Sequence, residues 1–242
     1  MRIFAVADLH LSFAEKFDPA HISNVQSNKA MDIFGPAWDN HIPGLYSAWQ
    51  DLVSEKDIVL VPGDISWAMT LNDAEYDFDF LRQLKGTKVL LRGNHDYWWQ
   101  SLSKIRKVLP SDILVLQNDA VNLEIGDCSL CGTRFWISPF NGDFKTKDKK
   151  VYDRKLIRQE ISLKAAAGKY IINMNHFPPM DDDCNPNELT DLLESYGVKD
   201  SVYGHLHGKL KGAVPEGQHR GINYHCVSCD YLDFKPKLIA EF

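Results

Sequence analysis

The chain has 242 residues, of which 33 are Asp or Glu and 27 are Lys or Arg, so its formal net charge is −6. This acidic balance argues against a protein whose main task is to bind nucleic acid, because such domains normally carry a basic excess. The composition, 44% hydrophobic and 25% charged, excludes disordered and collagen-like chains. No apolar stretch reaches the roughly 18 residues of a membrane helix. The five cysteines favour a reducing compartment over a disulfide framework, so we expect a cytoplasmic protein.

Five short, nearly continuous apolar runs are typical of strands buried on both faces, and each ends in a polar residue. They cover residues 3–8, 58–64, 89–94, 170–176 and 201–205. Helices are predicted between them, at residues 45–53, 72–84, 97–109, 153–167 and 187–196, with Asn72 and Asn187 as N-caps. This alternation predicts a mostly parallel sheet flanked by helices, with the functional groups at the carboxyl ends of the strands.

Three further segments depart from this alternation. Residues 113–137 and 222–242 contain broken apolar runs that predict antiparallel hairpins, and hence a two-layered β core between helices. Residues 11–43 show no clear periodicity, and a loop of that length after the first functional strand is expected to line the site. Residues 145–150 are expected to form a mobile basic loop. Since no repeat or linker divides the chain, we predict a single domain over residues 1–242.

Polar residues at the strand ends form five blocks, namely Asp8-Leu9-His10, Gly63-Asp64, Gly93-Asn94-His95-Asp96, His176 and Gly204-His205-Leu206-His207. Imidazole, carboxylate and amide oxygen without thiolate favour Mn, Fe, Zn or similar ions. Because alternate residues of an extended chain point the same way, Asp8 with His10 can aim two ligands at one place. The seven donors exceed what one ion needs, whereas two ions that share Asp64 would use them all.

The five blocks, in the order D-x-H, G-D, G-N-H-D, H and G-H-x-H, resemble those of the calcineurin-like binuclear metallophosphoesterase superfamily. The resemblance implies an α/β fold, a four-layer αββα sandwich with mixed parallel and antiparallel sheets, and two divalent metal ions per chain. It implies that one metal is held by Asp8, His10 and His207. The other is held by Asn94, His176 and His205, and Asp64 bridges the two.

The activity that the resemblance implies is hydrolysis of a phosphoester by in-line attack of metal-bound hydroxide, without a covalent enzyme intermediate. His95 is expected to act as general acid or to stabilise the leaving oxygen, and Asp96 to brace the turn or orient His95. Tyr97 is expected to open a helix whose N–H groups face the pocket. The substrate is expected to be a small phosphorylated molecule, with the choice between monoester and diester left open. Nothing in the sequence indicates an oligomeric state.

Departures from family patterns narrow the subclass. Trp67 stands where purple acid phosphatases have a metal-binding tyrosine, and residues 65–68 lack the Asp-Arg-Gly extension of the Ser/Thr protein phosphatases. His95 stands where pyrophosphatases that act on UDP-linked lipid A precursors have arginine. The pattern that remains resembles small bacterial phosphohydrolases of unassigned substrate.

Two other functions stay open, a nuclease of the same superfamily and a non-catalytic metal-binding scaffold. Trp38, His41 and Arg134 are candidate substrate contacts, although solvated or structural roles are commoner for such residues. Two C-x-x-C pairs, Cys128 with Cys131 and Cys226 with Cys229, suggest a zinc site. Because both pairs lie in strand-like stretches, burial as small hydrophobic residues is the better interpretation.

Overall fold

Strands and helices alternate along most of the chain. The computed structural model describes residues 1–29, 31–181, 183–208 and 214–242. The strands in that part are β1 (Arg2–Ala5), β2 (Ile58–Val61), β3 (Thr87–Leu91), β4 (Ile113–Leu116), β5 (Ala120–Leu123), β6 (Cys128–Thr133), β7 (Tyr170–Asn175), β8 (Asp200–Tyr203), β9 (Gly217–His219), β10 (Ile222–Cys226) and β11 (Lys237–Glu241). The α-helices are α1 (His41–Leu52), α2 (Glu75–Gln83), α3 (Leu102–Val108), α4 (Thr146–Ala165) and α5 (Glu188–Ser195).

The described strands form two mixed sheets. The first has the order β11-β1-β2-β3-β4, in which β1 to β4 run parallel and β11 pairs antiparallel with β1. The second has the order β5-β6-β7-β8-β10-β9, with a parallel centre and antiparallel edge strands β5 and β9. The mixed sheets confirm the predicted fold class.

Apolar side chains pack in three layers around the two sheets. Trp49 of α1 and Phe80 of α2 pack on one face of the first sheet, in a cluster that includes Val59. Between the sheets, strand residues such as Leu60 and Met174 form the central layer. Further side chains of α4 and α5 cover the outer face of the second sheet. The order helix, sheet, sheet, helix follows because successive strand residues face opposite sides of a sheet.

Two predictions for the segments that follow β3 are wrong. The run at 113–116 is not part of a hairpin but an edge strand parallel to β3, because an apolar run does not reveal the direction of its partner. The antiparallel hairpin of that region is formed by β5 and β6 instead. Helix α3 begins at Leu102 rather than Tyr97, so no helix N-terminus follows His95 directly.

The two predicted N-caps have different outcomes. Helix α2 begins at Glu75, which leaves Asn72 in the preceding turn rather than at the cap. Asn187 is the N-cap of α5, as predicted. Its side-chain oxygen accepts the N–H groups of Leu189 at 2.9 Å and Thr190 at 3.1 Å, which satisfies two donors that the first helical turn leaves free.

Helix α4 begins at Thr146, so the prediction of a mobile loop at 145–150 is wrong. The Asp148 carboxylate accepts the N–H of Lys145 at 2.9 Å and that of the Trp136 indole at 3.2 Å, which closes the first turn. No helix in the described residues is both long and apolar enough to cross a membrane.

The four cysteines of the C-x-x-C pairs are buried and free, as predicted. Cys128 faces the layer between the sheets, whereas Cys131 faces the helices that cover the second sheet. Cys226 and Cys229 also lie in separate apolar clusters. Because the members of each pair face different layers, their thiols do not converge on one ion.

Candidate metal centre

The five polar blocks converge at the carboxyl ends of strands from both sheets. Each block follows a strand directly or within a few residues: Asp8 and His10 follow β1, Asp64 follows β2, Asn94 and His95 follow β3, His176 follows β7, and His205 and His207 follow β8. Parallel strands bring such residues to one edge of a sheet, and the two sheets place their edges side by side.

One group of ligand atoms comes from Asp8, His10 and His207, with one atom of each within 4.8 Å of the others. The two Nε2 atoms of His10 and His207 lie 3.2 Å apart. Asp8 Oδ1 is 3.9 Å from His207 Nε2. These three residues are the set that the family resemblance assigns to one ion.

A second group surrounds His176. Its Nε2 lies 2.6 Å from Asn94 Oδ1 and 3.5 Å from Asp64 Oδ2, and the His205 ring centroid is 5.1 Å from its own. Asp64 Oδ2 is also 3.9 Å from His10 Nε2. The Asp64 carboxylate thus lies between the two groups, where a bridging ligand is expected.

Left-handed backbone turns, not extended strands, aim these side chains. Asp8, His10, Asp64 and His205 have φ of 60°, 48°, 51° and 73°. Each non-glycine residue in this region costs about 1–3 kcal/mol, and such strain is concentrated at functional sites. The expectation that Asp8 and His10 converge through an extended chain is therefore wrong in its geometry.

Two motif glycines are required by close packing beneath the ligands. A Cβ on Gly93 would overlap Asp64 Oδ1, and a Cβ on Gly204 would lie 2.5 Å from Asp8 Oδ2. Any side chain at either position would displace a candidate metal ligand. The glycines of the G-N-H-D and G-H-x-H blocks therefore have a steric role.

Burial keeps most of the imidazoles neutral. It lowers the pKa of His176 and of His205 to about 3 and lowers the pKa of His10 well below its ordinary value. Burial also raises the pKa of Asp8 to about 7, and the negative charge of Asp64 adds to this rise. Neutral imidazole is the form that binds a metal, and a nearby cation would favour ionised carboxylates.

Hydrogen bonds fix which imidazole nitrogen faces the site. His176 Nδ1 donates to the Pro62 carbonyl at 3.1 Å, so its Nε2 carries a lone pair toward Asn94 and Asp64. His207 Nδ1 lies 3.0 Å from Asp230 Oδ1. Although burial opposes protonation of His207, Asp230 and Asp8 raise its pKa to about 9. Asp230 has no sequence signal, because it lies 23 residues from its partner and in no motif.

His95 stands in the wall of the site rather than among the ligands. Its backbone N–H donates to Asp64 Oδ1 at 2.8 Å, and its ring centroid lies 4.5 Å from that of Trp67. Its Nδ1 is 3.5 Å from the Tyr97 hydroxyl. Burial lowers its pKa, while the Asp64 carboxylate opposes that change.

Asp96 joins two loops of the site. Its buried carboxylate accepts the N–H groups of Ile65 at 2.9 Å, Ser66 at 3.1 Å and Gly93 at 2.7 Å, and the Trp98 indole N–H at 3.0 Å. These bonds link the loop after β2 to the loop after β3. In the described residues the Asp96 carboxylate makes no hydrogen bond to the His95 ring.

A model of the calcineurin-like phosphoesterase family matches residues 1–209. The chain belongs to this family. No curated protein matches the chain. The phosphopantetheinyl hydrolase PptH from Mycobacterium tuberculosis is a similar solved structure, with 13% identity, a TM-score of 0.57, and coverage of 100% of this chain and 96% of that one. A protein of unknown function, AQ665 from Aquifex aeolicus, has 14% identity, a TM-score of 0.49, and coverage of 98% and 95%. At 13% identity the likeness to PptH extends to the fold alone.

A cavity of about 610 Å³ adjoins the candidate metal centre of this calcineurin-like phosphoesterase. Asp64, His95 and His207 line one side, and residues of the 11–43 segment, including Met31, Phe34 and Trp38, line the other. Residue 30 of that segment lies outside the described part. The long segment therefore contributes an apolar wall to the site.

The three candidate substrate contacts occupy different places. Trp38 lines the cavity, with its ring centroid 5.9 Å from that of His10. His41 is not among the cavity's lining residues, and its Nδ1 lies 3.0 Å from the Trp38 carbonyl oxygen. Arg134 follows β6, and its carbonyl oxygen accepts the N–H groups of His176 and Phe177, each at 3.2 Å.

Proposed function

We propose that the protein hydrolyses phosphoesters with a centre of two divalent cations. The observation that carries this proposal is the meeting of the His176 Nε2 lone pair with Asn94 Oδ1 and Asp64 Oδ2, at 2.6 and 3.5 Å. Electron-rich atoms this close repel one another unless a cation lies among them. Two bound cations would neutralise the phosphate oxygens and lower the pKa of the attacking water.

The proposed ligand sets follow the two groups of side chains. Asp8, His10 and His207 hold one cation, and Asn94, His176 and His205 hold the other, with Asp64 between them. Imidazole, carboxylate and amide donors suit Mn, Fe, Zn or similar ions. Asp230 and the Pro62 carbonyl support the proposal, because each holds the outer nitrogen of a ligand imidazole.

His95 is proposed to give a proton to the leaving oxygen. It lines the cavity without belonging to either group of ligands. Since its Nδ1 faces the Tyr97 hydroxyl, Nε2 is left for the substrate. Asp96 is proposed to act through position, by holding the loops of Asp64 and His95 together. The apolar wall formed by Met31, Phe34 and Trp38 favours a small substrate with an apolar or aromatic group.

The test is a panel of phosphate monoesters and diesters assayed with protein that has been stripped by chelator and reloaded with Mn²⁺. We expect hydrolysis by the wild type and loss of both Mn²⁺ and activity in Asp64→Asn. The proposal is wrong if Mn²⁺-loaded wild type hydrolyses no member of the panel.

His95→Ala tests the proton donor separately. We expect wild-type Mn²⁺ content, a fall in kcat of about 100-fold or more for an alkyl phosphate, and a smaller fall for p-nitrophenyl phosphate, which needs no proton on leaving. His21→Ala is the matched control, since it removes an exposed imidazole that pairs with Asp18 at 2.7 Å and does not line the cavity. Equal losses on both substrates would exclude the acid role.

A further inference from the structure

Four cationic side chains belong to segments that flank the candidate metal centre. Arg92 follows β3, Arg134 follows β6, and Lys155 and Arg158 belong to α4. We refer to these four residues as the cationic cluster. None of them belongs to the proposed ligand sets.

The topology brings α4 to this side of the site. Because α4 connects the parallel strands β6 and β7, it runs antiparallel to them and its early turns lie at their carboxyl ends. Gln159 Oε1 lies 3.3 Å from Thr133 Oγ1 and 3.0 Å from Asn175 Nδ2. Thr133 and Asn175 directly precede Arg134 and His176. The helical turn before Gln159, which carries Lys155, therefore lies beside the metal centre.

The cluster has donors without acceptors. The Nε atoms of Arg92 and Arg134 are buried and have no hydrogen-bond partner among the described residues. In the same part of the chain, none of the four side chains forms an ion pair with a carboxylate. Leaving a buried charged donor unpaired is costly, so an anion bound here would gain several charge-assisted hydrogen bonds.

The positive charges of the three arginines act on Lys155. Burial, followed by the charges of Arg134, Arg158 and Arg92, lowers the pKa of Lys155 to about 7. The Arg134 carbonyl oxygen accepts the His176 N–H at 3.2 Å, which places this residue beside the metal centre. Because the whole chain has a net charge of −6, this local concentration of positive charge favours the binding of an anion at this place.

We propose that the cationic cluster binds a second phosphoryl group of the substrate. The inference rests on the proposed function, because it assigns the scissile phosphoester to the metal centre and the second phosphoryl group to the cluster. The substrate class is thereby a small molecule with two phosphoryl groups close together. Arg92 and Arg134 supply forked donors, and Lys155 and Arg158 supply charge from α4.

The probes are methylphosphonate and methylenediphosphonate, which have one and two phosphonate groups and are not hydrolysed. Calorimetry with Mn²⁺-loaded protein gives the ratio of their affinities. We expect wild type to bind the diphosphonate at least about 30-fold more tightly. Lys155→Met/Arg158→Gln should reduce the ratio by about 10-fold or more, since the loss of even one charge-assisted hydrogen bond corresponds to about tenfold. Lys164→Met is the control, since it removes a lysine of α4 that pairs with Glu160 at 2.8 Å.

The outcomes separate the two proposals. If the ratio is the same in the double variant as in wild type, the two phosphonates bind through the metals alone and the cluster proposal is overturned. If the ratio depends on the cluster but no ester is hydrolysed, the cluster proposal stands and the proposed function fails. If the double variant does not fold, the same affinity ratio is measured with Arg158→Gln alone, because Arg158 is exposed.

Discussion

Asp230 offers a sharp test of how the candidate metal centre is held. Its carboxylate is buried and faces two groups of the loop after β8: Oδ1 is 3.0 Å from His207 Nδ1, and Oδ2 accepts the Gly208 N–H at 2.8 Å. Asp230→Asn keeps an oxygen acceptor but removes the charge. Asp230→Ala removes both bonds, so His207 is no longer held with Nε2 toward Asp8 and His10.

The size of the effect follows from the two hydrogen bonds. A bond to a charged group contributes about 1.5–3 kcal/mol and a neutral one about 0.5–1.5 kcal/mol, so loss of the charge costs about 1–1.5 kcal/mol. This corresponds to roughly a tenfold loss of Mn²⁺ affinity for Asp230→Asn. For Asp230→Ala we expect a loss nearer 100-fold, the upper end for groups that orient a ligand histidine.

The assay is calorimetric titration of chelator-stripped protein with Mn²⁺. Asp200→Asn is the matched control, because Asp200 Oδ1 is also hydrogen-bonded to an imidazole, His225, at 2.9 Å, but no candidate ligand is involved. We expect Mn²⁺ affinity within about twofold of wild type in that control. Wild-type affinity in Asp230→Ala, or an equal loss in Asp200→Asn, would refute the reasoning.

Three further predictions concern the ligand loops, the fold and the thiols. Gly93→Ala should weaken Mn²⁺ binding by more than about 100-fold, since its Cβ would overlap Asp64 Oδ1, whereas Gly142→Ala, with no atom within 4 Å, should bind as wild type in the same titration. Burial opposes ionisation of Asp57, but hydrogen bonds from Arg2 and Ser54 outweigh it and lower its pKa. A lowered pKa stabilises the folded state at pH values above the pKa of this group in the unfolded chain, near ~4, and this stabilisation is lost as the pH falls through the folded-state pKa. In urea unfolding, Asp57→Asn should therefore lower the free energy of unfolding by about 1–2 kcal/mol at pH 7 and by less at pH 3. A thiol reagent should modify at most Cys184 in the native protein and five thiols after unfolding, because the other four are buried; rapid reaction of two or more native thiols would contradict this.

The amino-acid sequence by itself determined the types of donor side chain and the layers of the fold. The side chains that can donate to a metal are visible in the sequence itself, so the five polar blocks could be predicted from it. The strands that precede them could be predicted from their apolar runs. Burial of the cysteines followed from the strand period, and the cap at Asn187 from its side chain. Each of these features depends on a few neighbouring residues.

Only the tertiary structure decided how the groups meet. The left-handed turns at Asp8 and His10 are not visible in the sequence, and Asp230 pairs with His207 although the two residues share no motif. The parallel direction of β4 also depended on its partner strand. The physical reason is that these contacts are set by strand pairing and packing between distant segments, which local periodicity does not encode.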